Sequence, residues 1–544
     1  MPPIVLRPLI ENYVADRGAL ERLYTIDFSP ARRERLARLA REWQESVAEV
    51  DFDELGRDEQ VDLLLFEEHL ARVLHTLDAA AVSDAPALRL VPFAPAIIDL
   101  EERRRRFEPE EPKRSAAILD DIAKSARAQT QRAEAGILGG GKHEAERGAK
   151  IVEALAHALS GWHGFFQGYD PAHTWWCATP YAEAAEALEE YRVALRRDVC
   201  GLDPDDRDAV VGNPIGAEAL AAELVFERIP YTPEELIAIA EREFSWCDGE
   251  FRRAAQDLGF GDDARAALEH VKDLHEEPGG QPALVRALAL EAVDFLRKND
   301  LVTVPRLCEE TWRMEMMPPD RQRVSPFFLG GETIMVSFPT SGMTHDEKRM
   351  SLRGNNRHFA RATVHHELIP GHHLQQFMLA RHKPYRSLFE TPFWVEGWAL
   401  HWEMLLWDLG FAQTPEDRIG MLFWRRHRCG RIVFSLRFHL GQMTAEECVD
   451  YLVERVGHER ANAEGEVRRS FGGEYPPLYQ LAYMIGGLQM RALYREIVGA
   501  GQMTPRDFHD AVLRENQMPI EVLRYLVTGA RLARPLPRGW RFAD

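Results

Sequence analysis

The chain has 544 residues, 45% of them hydrophobic and 28% charged, which is ordinary for a globular protein and enough to bury a large core. Its formal charge of −20 argues against a general nucleic-acid binder and against adhesion to anionic membranes. No apolar run reaches the roughly 18 residues of a membrane span, and the first twenty residues, "MPPIVLRPLIENYVADRGAL", lack the unbroken apolar stretch of a signal peptide.

In chain order, most segments predict helix. "ARRERLARLAREWQESVAEV" (31–50) and "EQVDLLLFEEHLARVLHTL" (59–77) place apolar residues three and four apart among charges. "GILGGGKHEAERG" (136–148) breaks the pattern; it lacks the Lys-Ser/Thr ending of a phosphate loop and reads as a linker. Helical periodicity returns at 181–199 and at 232–259, where Thr232 and Glu235 form a capping box. Further breaks fall at "GLDPDD" (201–206) and "HEEPGGQP" (275–282). "RVSPFFLGGETIMVSFPTSG" (323–342) differs: β-branched and aromatic residues around Gly-Gly, with Pro near each end, predict a small antiparallel hairpin or edge strand. Helix resumes through 391–403 and 477–499. The six cysteines are scattered with no C-x-x-C pair, which points to reduced, mostly buried thiols and a cytoplasmic setting rather than disulfides or a cysteine–zinc site.

The hairpin leads into "TVHHELIPGHHLQ" (363–375). His366-Glu367 begins like the zinc-binding pattern H-E-x-x-H, but position 370 is Pro and the next His is His372. Residues six apart on a regular helix are rotated by about 240° and separated by about 9 Å along the axis, so His366 and His372 cannot chelate one ion on an unbroken helix. Pro370 and Gly371 can break it: proline lacks the N–H and clashes with the preceding turn, and glycine tolerates unusual dihedrals. A bulge or kink there would bring His372 back beside His366. The alternative is that His365, His366, His372 and His373 are surface or capping histidines near a helix end. Other His-Glu pairs, at His143, His275 and His458, lack the later His, and none has Pro-Gly at the fourth and fifth positions after the His.

Downstream, "TPFWVEGWALHWE" (391–403) puts Glu396 and Glu403 seven apart on one helical face. Catalytic zinc takes three protein ligands and keeps a position for water. Glu396 is the candidate third ligand, and Glu403 a carboxylate that orients a ligand imidazole. Glu367 is the candidate general base on water that the ion acidifies.

"HHELIPGHHLQ" followed by "VEGWALHWE" resembles the bacterial domain-of-unknown-function 885 family, similar to its pattern H-E-x-x-P-G-H-H-x-Q with a later E-G-W-A-x-x-x-E. The family resembles helical zinc peptidases such as the thimet oligopeptidases and Taq-type carboxypeptidases. The resemblance implies a mainly α fold with a deep cleft and a small β element, His366, His372 and Glu396 as ligands, and Glu367 as base. Where the family pattern has an Asp, "RIVFSLRFH" carries Phe434, while Arg431 and His439 remain.

"PPLYQLAYMIGG" offers Tyr479 and Tyr483, four apart, as donors to a tetrahedral oxyanion, with Tyr483 preferred; both also suit a helix core. Arg431, His439, Arg468 and Arg491 are candidates for a substrate carboxylate, or structural ion-pair partners. "LGGETIMVSF" could add a substrate strand through its backbone, or simply pack as a hairpin. The expected organisation is an N-terminal helical region, 1–300, forming one side of the cleft, and a metal-site region, 301–544, in one continuous unit. The expected activity is a zinc-dependent metallopeptidase acting on a peptide or small amide, with one zinc or another divalent ion. A metal-dependent hydrolase of another amide or ester, and a non-catalytic helical binding or scaffolding protein, are the alternatives.

Overall fold

The computed structural model describes residues 6–206, 209–322, 325, 327–472 and 475–543. It is mainly helical, and the chain divides into two compact units, Met1–Val211 and Gly212–Asp544.

The first unit runs α1 (Leu6–Leu23), α2 (Pro30–Ala48), α3 (Arg57–Leu88), α4 (Ala94–Arg105), α5 (Pro112–Glu134), α6 (Lys142–Phe166) and α7 (Pro171–Ala194). The predicted helices at 31–50 and 59–77 are α2 and α3. The Gly-rich break is shorter than expected, because Glu144 caps the N–H of Gly141 and starts α6 inside it. α5 and α7 lie along one another, and their inner faces join α6 in one apolar core that includes Leu119, Leu155, Leu188 and Tyr191.

The second unit runs α8 (Gly216–Phe226), α9 (Pro233–Asp257), α10 (Ala264–Lys272), α11 (Gln281–Lys298), α12 (Arg306–Thr311), β1 (Arg313–Met316), α13 (Pro319–Gln322) and β2 (Thr333–Val336). It continues through α14 (His345–Gly354), α15 (Arg357–Glu367), α16 (His372–Leu379), α17 (Pro392–Asp408), α18 (Pro415–His439) and α19 (Ala445–Tyr451). The last helices are α20 (Arg460–Phe471), α21 (Tyr479–Ile497), α22 (Pro505–Glu515) and α23 (Ile520–Thr528). The boundary falls at 211/212 and not at 300/301, since α9 packs along α18 and α11 against α15. The Thr232–Glu235 capping box forms as expected, with bonds of 2.8 and 3.2 Å.

The β element corrects the antiparallel expectation. β1 and β2 pair in parallel, Arg313 opposite Thr333 through Met316 opposite Val336. The chain leaves β1, crosses through α13 and returns in the same direction. "RMEM" is short and lacks β-branched residues, so nothing in its pattern advertises a strand. One antiparallel bridge, Leu329 to Met335, closes the Gly-Gly turn within the expected hairpin. β2 is thus flanked on both sides, and Arg323, Val324 and Pro326 of the expected hairpin lie outside the described residues.

α17 and α18 are buried on almost every face, the pattern of helices at the centre of a large domain. α17 approaches α21 at Gly397 and Gly486: a Cβ on Gly486 would sit 2.1 Å from the Phe393 carbonyl oxygen, and one on Gly397 2.5 Å from the Gly486 backbone. Only glycine at both positions permits this backbone contact, which brings the start of α21 beside Glu396.

Candidate metal centre

α15 starts where the Asn356 side chain accepts from the backbone N–H groups of His358 and Phe359, and it ends at Glu367. Leu368 leaves helical geometry (φ −105°, ψ −106°), the Ile369–Pro370 peptide is cis, and α16 begins at His372. The expected bulge in one distorted helix is therefore a corner between two helices. Gly371 makes it possible: its N–H donates to the His365 carbonyl at 3.0 Å, and an added Cβ would lie 1.7 Å from the His366 carbonyl oxygen. The Trp398 indole N–H holds the corner by donating to the Pro370 carbonyl at 2.8 Å. The His366 and His372 rings consequently stand 4.9 Å apart, centre to centre, and nearly perpendicular.

Glu396 on α17 meets both. Its Oε2 lies 3.4 Å from His366 Nε2 and 3.3 Å from His372 Nε2. Ligands on a tetrahedral ion at about 2.05 Å are separated by roughly 3.3 Å, so these two distances match two edges of a zinc polyhedron. This Oε2 is buried, and among the described residues it faces the two imidazole nitrogens without a well-formed hydrogen bond, an arrangement that fits a cation-binding oxygen.

The remaining atom of each candidate ligand is tied elsewhere. His366 Nδ1 donates to Glu403 Oε1 at 2.7 Å, and Glu403 accepts from Arg428 Nη2 at 3.0 Å. His372 Nδ1 faces Gln375 Oε1 at 3.2 Å, while the Gln375 amide donates to the Val395 carbonyl at 3.1 Å. Tyr479 donates to Glu396 Oε1 at 2.5 Å. Each of these bonds fixes the tautomer or orientation that turns the free atom inward. Glu367 is half-buried, and one of its carboxylate oxygens lies within 4.8 Å of ligand atoms on His366 and His372. The backbone of Gly330 runs directly over it, so that a Cβ there would meet Glu367 Oε2 at 2.2 Å.

The charges are strongly coupled. Burial pushes His366 down, but hydrogen bonding to Glu396 and Glu403 raises it overall; His372, likewise buried, is raised to about 9 by Glu396 and Glu367. Burial would lift Glu403, yet Arg428 and His366 hold it down to about 2. Glu396 stays well below the carboxylate range because His372 and His366 outweigh its burial. Glu367 moves the other way, raised by burial against the pull of the two imidazoles.

His366, His372, Glu396, Glu403, Glu367 and Tyr479 thus come together. Tyr483 stands behind His366, its ring parallel at 6.1 Å, covered by the guanidinium groups of Arg428 and Arg431, its hydroxyl accepting from Arg469 at 3.3 Å. Of the two tyrosines, Tyr479 touches the ligand set. Arg431 is committed to Glu466 through bonds of 2.7 and 3.1 Å, and Arg491 pairs with Asp408. His439 is buried, which lowers it to about 4. His373 docks α16 by facing the Gly331 and Cys308 carbonyls. Arg428 and Gln375 escaped the sequence reading; Gln375 follows His372 by three, a helical spacing that signals contact, whereas Arg428 carries no such mark.

The fold and cluster define a mainly helical protein built around a buried two-histidine, two-glutamate constellation. The bacterial family of proteins of unknown function DUF885 matches residues 18–527, and the chain belongs to that family. Among curated proteins, none matches it. In fold the chain is similar to a candidate lipoprotein of unknown function from Shewanella oneidensis, with a TM-score of 0.72 and 18% identity over 97% of this chain and 100% of that one. It is also similar to a candidate lipoprotein from Colwellia psychrerythraea, with a TM-score of 0.60 and 15% identity over 96% and 97% of the two chains.

Proposed function

We propose that this protein is a zinc-dependent hydrolase, a metallopeptidase acting on peptides admitted to a confined cleft, of the kind found among helical zinc peptidases. The observation that carries the reading is the buried Oε2 of Glu396, set between the Nε2 atoms of His366 and His372 at 3.4 and 3.3 Å. His366, His372 and Glu396 would hold the ion; two nitrogens and one oxygen suit zinc or another divalent metal. Bound there, the ion supplies Lewis acidity, acidifying water and polarising an amide carbonyl.

Glu367 accepts the proton of the attacking water and passes it to the leaving nitrogen; the raised affinity of its carboxyl for a proton suits that exchange. Glu403 and Arg428 fix His366, Gln375 fixes His372, and Tyr479 fixes Glu396. The Tyr479 proton is committed to Glu396, so the α21 hydroxyl that would donate to the developing oxyanion is that of Tyr483, which accepts from Arg469 and keeps its own proton. The charge of −20 supports substrates other than nucleic acid. The six unpaired, buried thiols support the cytoplasm as compartment, and no helix among the described residues is long and apolar enough to cross a membrane.

The test compares the native chain with Glu367→Gln for zinc content and for turnover of a mixed peptide pool. Both retain zinc at this centre, and only the native chain cleaves. Zinc retained by both with cleavage by neither would instead make the protein a metal-holding binding module.

A further inference from the structure

Ligand-type side chains converge a second time, within the unit Met1–Val211. We propose that Glu110, His173 and Cys177 form a second divalent-cation site, of zinc type, that pins α7 to the connection between α4 and α5. One carboxylate oxygen, one ring nitrogen and one thiol sulfur from these residues lie within 4.8 Å of one another.

The placement follows from local structure. Asp170 caps α7 by accepting from the N–H groups of Ala172 and His173, and Pro171 opens the helix. His173 and Cys177, four apart, then share one face in its first turns. Glu110 reaches them from the chain just before Pro112, where α5 begins. Its Oε1 lies 3.2 Å from His173 Nδ1, close to the roughly 3.3 Å edge of a tetrahedron with 2.0–2.1 Å bonds.

Three features favour a cation over a self-contained cluster. The His173 and Cys177 side chains are fully buried, and the Glu110 carboxylate is 9% exposed. Among the described residues no Lys or Arg pairs with Glu110, so a buried carboxylate faces only an imidazole and a thiol, a costly arrangement without further positive charge. His173 presents its other nitrogen, Nε2, to His163 Nδ1 at 3.1 Å, and His163 is clamped by stacking on Tyr181 at 3.8 Å. A metal-bound imidazole commonly bonds through its second nitrogen in this way.

The donor set selects the metal. Thiolate, imidazole and carboxylate together suit zinc, and a hard oxygen-seeking ion such as magnesium or calcium would reject the sulfur. As a thiol, Cys177 donates to the Pro112 carbonyl at 3.4 Å, which already holds α7 against the start of α5; a bound cation would take over that link from the displaced proton. The site adds a function to one cysteine out of six that sequence spacing left unconnected.

Cobalt(II) titration of the metal-free full-length chain tests this, because thiolate ligation gives a sulfur-to-cobalt charge-transfer absorption that histidine and carboxylate ligands do not. The band should appear in the native chain and persist in the His366→Ala/His372→Ala double variant, and it should vanish in Cys177→Ser. Glu110→Gln should keep the band and raise the cobalt concentration for half-saturation by about tenfold or more; this variant also serves if Cys177→Ser does not fold. A native chain saturated with cobalt that shows no thiolate band overturns the proposal, as does a band unchanged by Cys177→Ser or a Glu110→Gln titration identical to the native one. The readout is independent of peptidase activity and of the centre at His366.

Discussion

Replacing Glu403 by Gln isolates the contribution of a residue that touches no substrate. The amide keeps the volume and an acceptor oxygen for His366 Nδ1, now 2.7 Å from a carboxylate, but it removes the charge shared with Arg428 at 3.0 Å. A charge-assisted hydrogen bond is about twice as strong as a neutral one, and outer partners of ligand histidines are worth about 10–100-fold in metal affinity. Glu403→Gln should therefore weaken zinc binding about tenfold and Glu403→Ala about a hundredfold, or roughly 1.4 and 2.7 kcal/mol. The same change strands the buried Arg428 guanidinium, a second loss of about 3–5 kcal/mol that falls on folding. The two effects separate experimentally: competition with a chromophoric chelator gives zinc affinity, and a denaturant midpoint gives stability. Adding Arg428→Met to Glu403→Gln should restore the midpoint and leave zinc weak. If Glu403→Gln folds and binds zinc within about twofold of native, the assignment of His366 as an oriented ligand is wrong.

Tyr479→Phe removes the donor to Glu396 Oε1 and should lower zinc affinity about tenfold, while Tyr483→Phe, whose hydroxyl faces Arg469, should leave it unchanged; chelator competition decides. Gly486→Ala drives a methyl into the Phe393 carbonyl and should cost at least about 1–3 kcal/mol, read as a lowered Tm; an unaltered Tm would mean that α17 and α21 do not touch there. His439, lowered to about 4 by burial, binds its proton more readily unfolded than folded, so it adds nothing above about pH 6.5 and destabilises progressively as pH falls from there towards 4. By pH 5.5 this amounts to about 1.4 kcal/mol, and His439→Leu should flatten stability against pH by that much between pH 7.5 and 5.5 in denaturant titrations. An equal slope in both proteins would place His439 in contact with water.

The cluster was legible because its residue types are rare and the spacing of its histidines is impossible for one ion on an unbroken helix: Pro370 and Gly371 announced a break, and His366, His372, Glu396 and Glu403 do meet. The form of the break was not legible, since a kink and a corner share the same residues; that a Cβ on Gly371 would lie 1.7 Å from the His366 carbonyl oxygen is a fact of packing. Which tyrosine bonds to Glu396 was not legible for a related reason. Tyr479 and Tyr483 share a helical face, and the close approach at Gly397 and Gly486 decides which one reaches Glu396. β1 was invisible because two charged residues and two methionines, none of them β-branched, carry no strand signal without a partner. The Glu110–His173–Cys177 cluster joins Glu110 to a pair of residues more than sixty positions further on, a distance over which single-sequence periodicity says nothing.

An uninterrupted H-E-x-x-H helix sets its imidazole spacing through its own backbone, and its ion can leave an unchanged rod behind. Here the corner at Gly371 assigns His366 to the end of α15 and His372 to the start of α16, a segment of eight residues, shorter than helices that persist alone in water. The cation would then act as a rivet across a seam, and taking it out should let the short helix lift. Amide hydrogen exchange along residues 372–379 should therefore quicken as free zinc is withdrawn, so that the candidate metal centre would double as a latch on its own scaffold.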